Sequence, residues 1–121
     1  SGALDARSDA LRELSMLQGA TIAHRLDVSA RLAKQFTDAR ADLYRLLETW
    51  EGWWRDVMVT SAQANELTNN VDQQAALRSL SAKVDPSRAA DAVALIERTR
   101  RQLMENVNPR LALEALALGL P

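Results

Sequence analysis

Apolar residues recur every three or four positions along most of the chain, and no stretch has the strict alternation that is typical of a strand. Ala, Leu, Arg and Glu dominate the composition, and all four favour helix. Only four glycines and three prolines interrupt the 121 residues. The sequence therefore predicts an all-α fold, a helical bundle of about five to six helices.

Residues that typically begin or end helices divide this bundle into segments. The expected stop is Gly19, and the expected starts are Thr21, Asp38, Asp85-Pro86 and Asn108-Pro109. The predicted helices cover about residues 4–18, 21–36, 39–60, 73–84, 86–105 and 109 onward, with a loop over 61–72. Ser1-Gly2 is typical of the remnant of a removed affinity tag, so we expect a single domain over 3–121.

The third helix is the predicted centre of the core, because large apolar residues follow helical spacing along one side of it. These residues are Leu43, Leu47, Trp50, Trp54 and Val57. Trp53 points about 100° away from Trp54 on a helix, so we expect one tryptophan to contact a second element or a partner. Gly52, which weakens a helix, is expected to allow close approach of another backbone.

The other helices have narrower apolar faces. The residues predicted to point inward are Leu4, Leu11, Leu14 and Leu17 in the first helix, Ile22, Leu26, Ala30 and Ala33 in the second, and Ala89, Val93, Ile96 and Leu103 in the fifth. Glu97 and Arg101 are expected to pair on the outer face of the fifth helix. The last helix, RLALEALALGL, is apolar nearly all round, which predicts either a central strut or a contact with another chain.

The residue types that carry chemistry are scarce. Cysteine is absent, His24 is the single histidine and the glycines are isolated, which argues against thiol chemistry, a zinc site and a phosphate-binding loop. Fifteen basic residues against 16 acidic ones leave no surplus for binding phosphates, so we interpret the basic run at 98–101 as a solvated helix face. We therefore expect a non-catalytic domain without cofactor, metal, small-molecule ligand or direct nucleic-acid contact.

No apolar run approaches the roughly 18 residues that span a bilayer, and the N-terminus has no signal pattern. The absence of cysteine fits a cytoplasmic protein. We expect a cytoplasmic location without membrane contact.

Two stretches are more specific than generic helix. Residues 48–57 are ETWEGWWRDV, and residues 106–114 are NVNPRLALE, continuing to Leu120-Pro121. With LTNNVD at 67–72 between them, they resemble the C-terminal domain of the bacterial DNA polymerase III delta-prime subunit, over residues 40–121. The NPRLALE phrase is also similar to the third domain of gamma/tau subunits, whereas WWRD favours delta-prime.

The resemblance implies a clamp-loader collar domain, in which helical C-terminal domains of several subunits pack together while upstream domains load the sliding clamp during DNA replication. Its partners would be the gamma/tau and delta type subunits. The residues expected at the interface are Trp53, Arg55, Asn108, Arg110 and Leu113. Arg55 and Arg110 have an equal alternative as surface or intrachain ion-pair residues. Two other functions stay open, the third domain of a gamma/tau subunit and a free-standing helical homodimerising adaptor.

Overall fold

The structure is a computed structural model that describes residues 2–61 and 85–121. The helices in these ranges are α1 (Gly2–Leu17), α2 (Ile22–Asp38), α3 (Arg40–Ser61), α4 (Pro86–Met104) and α5 (Pro109–Gly119). The described ranges contain no strand, and the prediction of an all-α helical bundle is confirmed. The predicted helix over 73–84, the loop after Ser61 and the LTNNVD stretch lie outside the described residues.

Helix α3 is the centre of the bundle, because α1, α2 and α4 all pack against it. Helix α5 packs on α2 and α4. The apolar residues of α3 that were predicted to form the core are all buried, as is the predicted inner face of α4. These two helices therefore follow their sequence periodicity closely.

Three of the predicted helix starts are confirmed by capping hydrogen bonds. The Thr21 hydroxyl accepts from the backbone N–H of His24 at 3.1 Å. The Asp85 carboxylate accepts from the backbone N–H of Ser87 at 2.9 Å, and Asn108 caps α5 in the same way. Pro86 and Pro109 occupy the first turns, where a missing N–H leaves no helical bond unmade.

The prediction that Asp38 caps the third helix is wrong. Asp38 is the last residue of α2, and its carboxylate lies 3.0 Å from the Lys34 ammonium, one helical turn back. The chain passes from α2 to α3 through Ala39, whose carbonyl accepts the first bonds of the new helix. A single residue therefore separates the two helices, and Asp38 is too early in the chain to cap α3.

Three of the four residues predicted on the inner face of α2 are misplaced, and only Ala33 packs against the core. Ile22 and Leu26 are exposed at 69% and 40%, and Ala30 is exposed as well. The buried side of α2 carries Arg25, Val28, Ser29, Leu32 and Phe36. Both sets of residues follow helical spacing, and the second set faces the core because α3 and α5 pack on that side.

Two smaller expectations fail. Leu4 is exposed, whereas Leu14 and Leu17 of the same helix are buried. A Cβ built on Gly52 would meet no atom within 4 Å, so no backbone of the described residues approaches this glycine. The glycine in α3 therefore has no packing role in the described part of the chain.

Candidate interaction surface

The three tryptophans of α3 all lie in the core. Trp50 and Trp54 are fully buried, and Trp53 is 7% exposed. The Trp50 indole N–H donates to the carbonyl of Ala10 at 2.8 Å, which ties α1 to α3. One tryptophan was predicted to contact a second element or a partner, and both Trp53 and Trp54 are buried because other helices of the chain cover α3 on several sides. Rings that diverge by about 100° can both be buried on such a helix.

An ion-pair cluster joins α3 to α4. The buried carboxylate of Glu51 lies 2.7 Å from the guanidinium of Arg55 and 2.7 Å from that of Arg100. Arg55 also reaches Glu97 of α4 at 3.1 Å, so Glu97 pairs across the helices and not with Arg101. Because Glu51 is taken out of water, these hydrogen bonds satisfy a charge that would otherwise be costly to bury.

This cluster bears on the two interpretations of Arg55, the partner contact and the intrachain ion pair. The structure shows the intrachain ion pair, with half of the Arg55 side chain still exposed. The predicted contact of Arg55 with a partner stays a prediction. The basic run at 98–101 is partly used in the same cluster, through Arg100, and Thr99 is buried with its hydroxyl bonded to the Leu95 carbonyl at 2.8 Å.

Helix α4 ends in a tight reversal that depends on asparagine. Asn106 has φ 56°, in the left-handed region. The backbone N–H of Val107 donates to Gln102 at 2.9 Å, and that of Asn106 donates to Leu103 at 3.1 Å. This is the pair of bonds of a Schellman motif, and asparagine tolerates the left-handed conformation better than most residues.

Helix α5 begins at Pro109, three residues after Asn106. Asn108 also has positive φ, at 34°, and its side-chain oxygen accepts from the backbone N–H of Leu111 at 3.3 Å. The reversal leaves Met104, Val107 and Leu111 exposed. The predicted interface residue Asn108 is therefore a surface residue that orients the start of α5.

The remaining predicted interface residues have different positions. Leu113 is fully buried and Trp53 nearly so, and both contact the core of this chain. Arg110 is exposed and lies 3.4 Å from Glu114, one turn along α5. The structure therefore does not bring the five residues together on one surface, and their contact with a partner stays a prediction.

The exposed side of α5 is apolar. Leu111 and Leu118 are 58% and 45% exposed, and Ala115 between them is exposed as well. They lie at i, i+4 and i+7, which is one face of a helix. We call these three residues the outer stripe of α5. The helix is thus covered on its inner side and open on its outer side, so it is not a central strut within the described residues.

Arg25 holds two helix ends together and was missed at the level of sequence. Its guanidinium donates to the carbonyls of Leu17 at 2.8 Å, Ala117 at 2.9 Å and Leu120 at 2.6 Å. These carbonyls belong to the ends of α1 and α5, where helices leave acceptors without helical partners and where cations are favoured. The spacing of Arg25 with Val28, Leu32 and Phe36 would have placed it on the buried face.

No constellation of reactive side chains stands out in the described ranges. A groove of about 580 Å³ is lined by α1, the end of α2 and α3, and its charged residues include Asp42, which pairs with Arg45. Within residues 2–61 and 85–121, no group of three acidic or histidine side chains is placed to hold a metal ion. No helix in the same ranges is long and apolar enough to cross a membrane.

These features define a helical bundle built around a tryptophan-rich central helix. The family model described as DNA polymerase III, delta subunit, C terminal, matches residues 2–120. The chain therefore belongs to this family of clamp-loader subunit domains, which confirms the predicted relation to a clamp-loader subunit. No curated protein and no solved structure showed significant similarity to the chain.

Proposed function

We propose that this domain is a non-catalytic collar module, which joins its subunit to the other subunits of a clamp loader. The observation that carries the proposal is the family match, which extends over residues 2–120 and so includes every described helix. A clamp-loader subunit works in association with other subunits. Its C-terminal helical domain is a suitable place for that association, because helical bundles readily present an exposed face to a partner.

The chemistry of the described residues supports a structural role. The buried charges Arg25 and Glu51 are bonded to helix carbonyls and to arginines, which is typical of side chains that stabilise a fold. The formal charge of −1 gives no attraction to phosphates. We therefore propose no cofactor, no metal and no direct nucleic-acid contact, and a cytoplasmic location as part of the replication machinery.

We further propose that the subunit is of the delta-prime type. The family model names the delta subunit, and delta and delta-prime are distinct subunits. The WWRD phrase at 53–56 is what supports delta-prime over its relatives. The proposed partners are accordingly the gamma/tau and delta subunits.

Reconstitution tests the proposed association with other clamp-loader subunits. The chain is mixed with full-length gamma/tau and delta subunits, and the mass of the products is measured by light scattering after size exclusion. We expect a stoichiometric complex with these subunits. A discrete homodimer that ignores them would contradict the collar role and support the homodimerising adaptor.

Competition separates the subunit types. An excess of the chain is added to an assembled clamp loader, and the displaced subunit is identified by mass. We expect displacement of delta-prime. Displacement of delta alone would retain the collar role and overturn the delta-prime assignment, and displacement of a gamma/tau subunit would support the gamma/tau alternative.

A further inference from the structure

The outer stripe of α5 is an exposed apolar helix face. Ile22 and Leu26 of α2 are also exposed. The bonds from Arg25 to the carbonyls of Ala117 and Leu120 place the first turns of α2 at the end of α5. Ile22 and Leu26 therefore lie at the same end of the domain as Leu118.

The charges along the outer stripe cancel. Arg110 and Glu114 occupy the positions next to Leu111 and Ala115, and they lie 3.4 Å apart, so each neutralises the other. The outer stripe therefore has no basic excess that would attract a phosphate backbone or an anionic lipid surface. The surface instead fits an apolar helix face with little net charge.

The area of the surface indicates what kind of contact it makes. Leu111, Leu118, Ile22 and Leu26 are 58%, 45%, 69% and 40% exposed. With about 100 Å² of apolar surface for each fully exposed side chain, they offer on the order of 200–300 Å². A stable pairwise interface buries roughly 800 Å² per partner, so two copies of this chain joined through this face alone would not form a stable dimer. The face is suited to a weak contact inside a larger assembly, where other contacts contribute.

We infer that the outer stripe of α5, with Ile22 and Leu26, is the contact surface for the helical C-terminal domain of one neighbouring clamp-loader subunit. This inference rests on the proposed function and names the surface that performs it. The partner presents an apolar helix face, and Leu111 and Leu118 are the central side chains. Buried Trp53 and Leu113 act on this contact only through the packing of the domain.

The test uses the double variant Leu111→Gln with Leu118→Gln in the clamp loader reconstituted from full-length partner subunits. Both leucines are exposed, so the variant should keep the thermal midpoint of the wild-type chain within a few degrees. The control is Leu4→Gln, which changes a leucine that is 67% exposed in the first turn of α1. We expect the double variant to enter the complex with at least tenfold weaker affinity and the control to enter as the wild type does.

The outcomes separate the surface from the function. A double variant that folds and assembles with wild-type affinity overturns the assignment of the surface, while wild-type assembly still supports the collar role. Failure of the wild-type chain to assemble overturns the proposed function and this inference with it. A homodimer of the chain that is lost in the double variant overturns the choice of occupant, and so does binding of vesicles of anionic lipid or of primed DNA through these leucines.

Discussion

Replacement of Arg25 by methionine tests how the ends of α1 and α5 are held. Methionine keeps most of the length of the side chain and removes the guanidinium. The change removes bonds of 2.8, 2.9 and 2.6 Å from the carbonyls of Leu17, Ala117 and Leu120, of which Leu17 keeps a bond of 3.1 Å from the backbone N–H of Ala20. Water can reach these groups only partly, because the site is buried.

The expected loss in the free energy of unfolding follows from those three hydrogen bonds. A hydrogen bond to a charged group contributes about 1.5–3 kcal/mol. Part of this is offset, because the variant no longer buries a cation and because carbonyls at helix ends gain some hydration. We therefore expect Arg25→Met to lower the free energy of unfolding by about 3–5 kcal/mol, a large fraction of the stability of a domain of this size.

Urea unfolding followed by the fluorescence of the α3 tryptophans measures the change. The matched control is Arg31→Met on the same helix. Arg31 is largely exposed and pairs with Glu13 at 2.8 Å, so its loss should cost less than about 1 kcal/mol and should shrink with added salt. Arg25→Lys should recover only part of the loss, because one ammonium lacks the planar fork that reaches both helix ends. A change below about 1 kcal/mol for Arg25→Met would refute the proposed role of these bonds.

Three further predictions concern the backbone and one cap. Gly52→Ala should raise the free energy of unfolding by about 1 kcal/mol, since the added Cβ meets open space within a helix. Gly19→Ala should lower the free energy of unfolding by about 1 kcal/mol, because Gly19 has φ 69°. Urea unfolding curves of the two variants should therefore shift in opposite directions. Asn106→Ala should destabilise by about 1 kcal/mol and Asn106→Gly should not, because only the former opposes the left-handed conformation, and equal losses would contradict the Schellman assignment. Hydrogen bonds from the backbone and side chain of Ser87 hold the pKa of Asp85 below its usual 3.8, so the cap stabilises the fold above the unfolded pKa and this contribution is lost as the pH falls through the lower folded value. Carboxyl NMR titration should show that depressed pKa, and Ser87→Ala should raise it toward 3.8.

The central helix was predictable because its signal is one-sided. Leu43, Leu47, Trp50 and Val57 repeat over several turns with polar residues opposite, so periodicity alone determines the buried face. Periodicity could not determine whether Trp53 is buried. Whether a diverging ring is exposed depends on how many neighbours surround the helix, and that is a property of the whole bundle.

Helix α2 has two apolar stripes, and the sequence alone does not determine which of them is buried. Ile22 and Leu26 form one stripe, and Val28 and Leu32 belong to the other. The second stripe includes Arg25, and arginine is rarely buried unless it is paired. Two of the carbonyls that make a buried arginine favourable lie at the end of α5, 92 and 95 residues further along the chain, so no local sequence pattern predicts the burial of Arg25.

The candidate surface on α5 was only half predictable, for a related reason. A helix that is apolar all round demands cover on every side, but the sequence does not say which sides its own chain supplies. Here α2 and α4 cover the side that carries Leu113, and they leave Leu111 and Leu118 open. Leu113 lies within the NPRLALE stretch that resembles the family, and it was predicted at the interface. A residue that is specific to a family can nevertheless pack in the core, as Leu113 does. Exposure identifies the leucines on the opposite side of the same helix as the ones available to a partner, and it is their replacement that tests the contact.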